Sequence, residues 1–112
     1  MTGLRLAGEL EGQFIKVIDE NSWRDVDAIG DADGVIFLCP KCYQDNGGSV
    51  GTHSVLCWSP KVPLTITPVP GRWNLTGTGL SDLTLVAGSS SVLLTSGCQA
   101  HFFVRNGEIV GC

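Results

Sequence analysis

The sequence predicts a mostly-β fold: a single small antiparallel β-domain, a sandwich or open barrel of short strands, with little helix. Three observations carry that prediction. Fifteen glycines and five prolines are spread over 112 residues, which marks many turns and leaves room only for short elements between them. Apolar runs such as "VIFLC" and "HSVLCW" have the length of strands rather than of helices. Near the end, "VRNGEIV" places Asn106-Gly107 between two alternating segments, the strongest short-range hairpin signal.

Taken in order, Leu4, Leu6, Phe14 and Val17 alternate loosely and predict one or two strands around Gly8 and Gly12. The acidic stretch Asp19 to Gly34 reads as a solvated loop with room for one helical turn capped by Asn21 or Ser22. Val35 to Cys39 is a buried strand, "YQDNGGSVGT" a turn region, and His53 to Trp58 a second strand. Between Ser59 and Trp73, Pro60, Pro63, Pro68 and Pro70 lack the N–H that a central strand needs, so this is an edge segment or a wrapping loop. Strands follow at Trp73–Thr76, Leu83–Val86 and Val92–Thr95. In the final hairpin Phe103 and Arg105 lead into the turn, and Glu108 and Val110 lead out. The organisation expected is one compact unit: residues 1–34 as an N-terminal strand or arm with an acidic loop, and residues 35–112 as the main β-domain.

Composition narrows the function classes. At 43% hydrophobic and 16% charged, the chain is too apolar for disorder and is expected to bury part of its surface in an oligomeric assembly. The net charge is −4 and the basic residues are scattered from Arg5 to Arg105. That leaves no basic face to neutralise phosphates, which argues against a nucleic-acid partner. "MTGLRLAGELEGQF" lacks the apolar run of a signal peptide, and no segment has the length of a membrane span. A reducing compartment is therefore expected, where cysteines serve as metal ligands or free thiols. The odd count of five cysteines also argues against a complete disulfide set.

The cysteines carry the chemistry. Cys39-Pro40-Lys41-Cys42 and Cys98-Gln99-Ala100-His101 are two pairs at the same spacing, and two such pairs from distant parts of a chain are the usual way to build a tetrahedral metal site. Together Cys39, Cys42, Cys98 and His101 make a Cys₃His set. Zinc is expected, with iron as the alternative: the histidine and the lack of a fourth clustered cysteine favour zinc. The plainer reading of Cys39 and Cys98 is as small buried residues at strand ends.

His53 and Cys57 share one strand face. His53 is a candidate to replace one ligand, or to hydrogen-bond one from outside the ion. Cys57 reads as core, and terminal Cys112 as a free thiol or partner contact. No catalytic residue is assigned. A catalytic zinc needs three ligands, a water and a base; Asp45 and Asp82 are the candidates for that base, neither in a recognised motif. A Cys57–His53 nucleophile would lack a third, orienting residue. Asn74-Leu75-Thr76 is a chance match to a glycosylation acceptor, and "GTGLSD" lacks the lysine of a phosphate loop. Trp58 and Trp73 are expected to cover the core, since base stacking would need basic neighbours.

"CPKCYQDNGGSVGTHSVLCW", "PGRWNLTGTGLSDLTL" and "SVLLTSGCQAHFFVRNGEIV", in that order, resemble a group of small phage- and prophage-encoded domains of unknown function. Members often carry the misnomer ammonia monooxygenase. The resemblance covers Cys39 to Val110, roughly two-thirds of the chain. It implies a zinc-binding phage domain, with matches at Cys39, Cys42, Cys98 and His101 and with His53 at the histidine of the GTH segment. It supplies no reaction.

The expected role is therefore a structural or interaction protein of a phage: a virion component (decoration, connector or tail protein) stapled by zinc, partnered by other phage proteins. The alternatives are an accessory protein that binds a host protein, and a small zinc-dependent hydrolase. The expected location is the virion or the host cytoplasm.

Overall fold

The computed structural model describes residues 4–19, 22–63, 65, 72–86, 91–93 and 101–111. It is mostly β, built from small antiparallel sheets with one short α-helix. Strands β1 (Gln13–Asp19), β2 (Ser22–Val26), β3 (Gly34–Leu38) and β4 (Ser54–Trp58) form a four-stranded sheet in the order β2-β1-β3-β4. Helix α1 (Pro40–Asn46) leaves the end of β3. Strands β5 (Asn74–Thr76) and β6 (Thr84–Val86) pair with each other, and β7 (Ser91–Leu93), β8 (His101–Arg105) and β9 (Glu108–Gly111) make a three-stranded sheet.

The main core gathers one face of the four-stranded sheet against the other two sheets. Phe14, Val35, Phe37, Val55 and Cys57 meet Leu83, Leu85, Phe102, Val104 and Ile109. Alternation along β3 and β4 explains the selection: Val35 opposes Cys57 and Phe37 opposes Val55 across the ladder, so all four point to one side. Phe37 and Phe102 meet edge to face, ring centroids 6.0 Å apart, which joins the two larger sheets at the centre of the core. Burial of such a ring stabilises the fold by about 1.5–3 kcal/mol. The opposite face of the four-stranded sheet carries a smaller cluster of Ile15, Trp58 and Val62, with Trp23 set edge-on against Trp58.

The N-terminal segment is part of this architecture. Ile109 N–H donates to the Leu4 carbonyl and Leu6 N–H to that of Gly107, so Leu4–Leu6 runs along β9 before the chain crosses to β1. Leu6 and Leu10 are fully buried. The boundary expected after residue 34 falls inside β3, after its first residue Gly34, within the four-stranded sheet.

Two expectations are corrected. The acidic stretch is not a continuous loop: Ser22–Val26 is an edge strand paired to β1 with Arg24 opposite Lys16, and among its described residues the only turn of helix is a 3-10 turn at Ile29–Asp31. Strand β2 escapes recognition because an edge strand buries little, and Trp23, Arg24 and Asp25 are all exposed. The first four residues of the expected turn region, through Asn46, are helical.

Asp33 fixes the approach to β3. Its carboxylate accepts the N–H of Val17 and lies 3.4 Å from Lys61 Nζ, while its backbone bonds Ile15 and Ser59. At the far end, Asn106 and Gly107 take φ 53° and 75°, as a two-residue hairpin turn requires. Gly107 N–H donates to the Leu83 carbonyl, which locks the turn against β6.

Candidate metal centre

The site begins where β3 stops. Leu38 opposes Ser54, the last pair of the β3–β4 ladder. One step further, Cys39 N–H donates to the His53 carbonyl at 2.8 Å. The two residues are therefore cross-strand neighbours, on the same face as Phe37 and Val55. Register sets the sulfur and the imidazole on one face of the sheet, one step beyond the ladder.

Cys42 arrives through the helix. Cys39 sits at the N-cap of α1 in extended conformation, Pro40 follows at the first helical position, and Tyr43 N–H donates to the Cys39 carbonyl at 2.9 Å. Proline suits that position because its missing N–H would have no partner there. Three residues on from the cap, Cys42 returns to the same side of the turn as Cys39. The helix is stopped just as locally. Gly47 takes φ 70°, and its N–H and that of Gly48 bond back to Gln44 and Tyr43, the paired closure of a helix ending in a left-handed residue.

The loop that returns to β4 is held from within. Thr52 donates from Oγ1 to the Gly48 carbonyl at 2.7 Å and accepts from Asn46 Nδ2, while its N–H reaches the Ser49 carbonyl. This delivers His53 beside the cysteines. His53 Nδ1 lies 3.2 Å from the Ser54 carbonyl. A carbonyl only accepts, so the tautomer that makes this bond carries its proton on Nδ1 and its lone pair on Nε2.

The outcome is a group of three: the ligand atoms of Cys39, Cys42 and His53 all lie within 4.8 Å of one another. In a tetrahedral zinc site with bonds of about 2.0–2.3 Å, ligand atoms sit about 3.5–3.8 Å apart. The three are close enough to share one metal ion. Burial grades across the group, from Cys39, fully buried against the core, through half-buried Cys42, to His53 at the surface.

Cys98 lies outside the described residues, as does Cys112; His101 opens β8 with only its backbone described. The structure therefore assembles the first expected pair with His53. The sign of His53 in the sequence is its place just before "SVLCW", at the strand end facing the end of "VIFLC", which becomes informative once the two runs pair antiparallel. Cys57, further along β4, is a core residue: it is fully buried, and loss of water pushes its thiol up from 9.0 to about 12.

The two carboxylates considered as bases have other work. Asp45 lies 3.6 Å from Lys41 on the exposed side of α1. Asp82 accepts from the N–H groups of Thr78 and Gly79 and from Thr78 Oγ1, and those bonds hold its carboxyl below its ordinary value of 3.8. No helix among the described residues is long and apolar enough to cross a membrane. No protein-family model matches the chain, and no curated protein or solved structure matches it.

Proposed function

We propose that this chain is a small structural protein whose β-domain is stapled by one zinc ion, held by Cys39, Cys42 and His53, with the fourth position filled from the Cys98–His101 segment. The observation that carries the reading is the convergence of two thiols and an imidazole within 4.8 Å at the junction of β3, α1 and β4. Two soft sulfurs and one imidazole are a donor set suited to zinc, whereas magnesium and calcium take oxygen. Such an ion would tie the start of α1 to the start of β4 and close the intervening loop. That is a stabilising role, and metal binding at such a site adds directly to folding free energy.

A structural role fits better than a hydrolytic one because both candidate bases are engaged elsewhere, Asp45 by Lys41 and Asp82 by its own turn. With the resemblance to phage-encoded domains, the biological reading is a virion component that works by binding other phage proteins. The apolar, weakly charged composition supports burial in an assembly. The test has two arms. Elemental analysis of the purified chain is expected to give about one zinc per chain, and a metal-free, fully folded protein rejects the site. Mass spectrometry of purified virions is expected to find the chain in stoichiometric copies; its absence rejects the virion role.

A further inference from the structure

We propose that Cys39 and Cys42 form a peroxide-sensitive latch on the metal: oxidation joins the two sulfurs and releases the ion. The proposal rests on the metal reading above and adds a regulation to that site. Two features of the geometry carry it. The two sulfurs belong to residues three apart at the first turn of α1 and lie within 4.8 Å of each other, while a disulfide needs Cα atoms about 4.4–6.8 Å apart, the separation that one helical turn provides. The pair is also graded in access: Cys42 is half-buried beside exposed His53, whereas Cys39 is fully buried behind it. An oxidant from solvent meets Cys42 first, and Cys39 is placed to resolve it.

The chemistry is a two-electron oxidation by a hydroperoxide. The Cys42 thiolate attacks the O–O bond of hydrogen peroxide; an S–O bond forms, the O–O bond breaks and hydroxide leaves, giving the sulfenic acid. The Cys39 thiolate then attacks the Cys42 sulfur, the S–S bond forms and a second hydroxide leaves. Two thiolates have lost two electrons to the peroxide, and both hydroxides end as water on taking up protons. The metal keeps its oxidation state throughout. It leaves because disulfide sulfurs carry no charge and sit about 2.05 Å apart, too close to span two corners of the tetrahedron. Cys57 does not compete, being fully buried in the core on the far side of Val55 along β4.

The test uses the zinc-loaded full-length chain treated with hydrogen peroxide. Released zinc is read with a chromophoric chelator, and the protein is then digested without reductant. Trypsin cuts after Lys41, between the two cysteines, so the new bond appears as two linked peptides; fragmentation separates Cys42 from Cys57. The expected result is about one ion released per chain in step with a Cys39–Cys42 link, and recovery of bound zinc after dithiothreitol and added zinc. Zinc that stays bound under peroxide overturns the latch, as does release with Cys42 driven to sulfinic acid and no link formed. Both readouts are made on the wild-type chain, so they do not depend on whether Cys42→Ser folds. A chain that carries no metal before peroxide is added fails the metal reading and the latch together; a zinc protein inert to peroxide fails the latch alone.

Discussion

The backbone N–H of Cys39 donates to the carbonyl of His53 at 2.8 Å, one step beyond the last ladder pair of β3 and β4. This bond makes the two residues cross-strand neighbours although fourteen positions separate them in the chain. The site's geometry is thus a consequence of sheet register, and a slip of one residue would send one of the side chains to the other face.

His53→Ala is expected to leave the fold intact, because His53 is exposed, but to weaken zinc binding by more than the about 10–100-fold that loss of an outer hydrogen-bond partner causes. Competition with a chelator of known affinity measures this. Removing the metal from the wild-type chain is expected to lower its Tm, and readdition of zinc to restore it. A wild-type Tm indifferent to chelator counts against a structural ion.

Gly107→Ala is expected to be among the most damaging single-methyl changes in the chain. The residue holds φ +75°, and an added Cβ would run into the Ser81 carbonyl oxygen and lie 2.7 Å from that of Leu80. Left-handed strain of about 1–2 kcal/mol and overpacking of about 1–3 kcal/mol both act against the hairpin turn. Urea denaturation should show a midpoint shift far larger than that of Asn106→Gly, which relieves a non-glycine residue at φ 53°.

Cys57 gives the stability a sign in alkali. Its thiol is raised from 9.0 to about 12 in the folded chain, so above its ordinary value the unfolded chain gives up a proton that the native chain keeps. The contribution is fully present below that value and is lost as pH rises, by about 1.4 kcal/mol per pH unit up to the folded value. Compared with wild type, Cys57→Ala should flatten the stability profile between pH 9 and 12; identical slopes would remove the burial argument.

Asp82 gives the opposite sign in acid. Hydrogen bonds from Thr78 and Gly79 hold its carboxyl below 3.8, so its contribution is present above that value and is lost as pH falls through the lower folded value. Asp82→Asn is expected to lower Tm at neutral pH by loosening the Thr78–Asp82 turn, and the gap from wild type should close in strong acid. A gap that persists there would point to packing instead of charge.

Much of the strand framework was legible because its signals are local. "VIFLC" and "SVLCW" are apolar enough to be strands on their own, and Asn106-Gly107 specifies its turn by backbone preference alone. Helix α1 carried its own marks, Pro40 at the start and Asn46-Gly47-Gly48 at the end, but the same residues also signal turns, and seven residues give no periodicity to decide between them. Strand β2 lacked a signal because an edge strand with exposed Trp23 has no buried stripe to display.

By itself, the sequence determined that this chain is a small mostly-β domain with a Cys-x-x-Cys pair at the end of a buried strand. Composition, turn chemistry and spacing are properties of neighbouring residues, and those suffice for elements and for the Cys39–Cys42 pair. Only the tertiary structure decided that His53 stands third beside them. That depends on β3 and β4 pairing antiparallel in the register that sets Leu38 against Ser54. It depends equally on Asn46 and Thr52 folding the loop between them, since a metal ion reads distance in space and not separation along the chain.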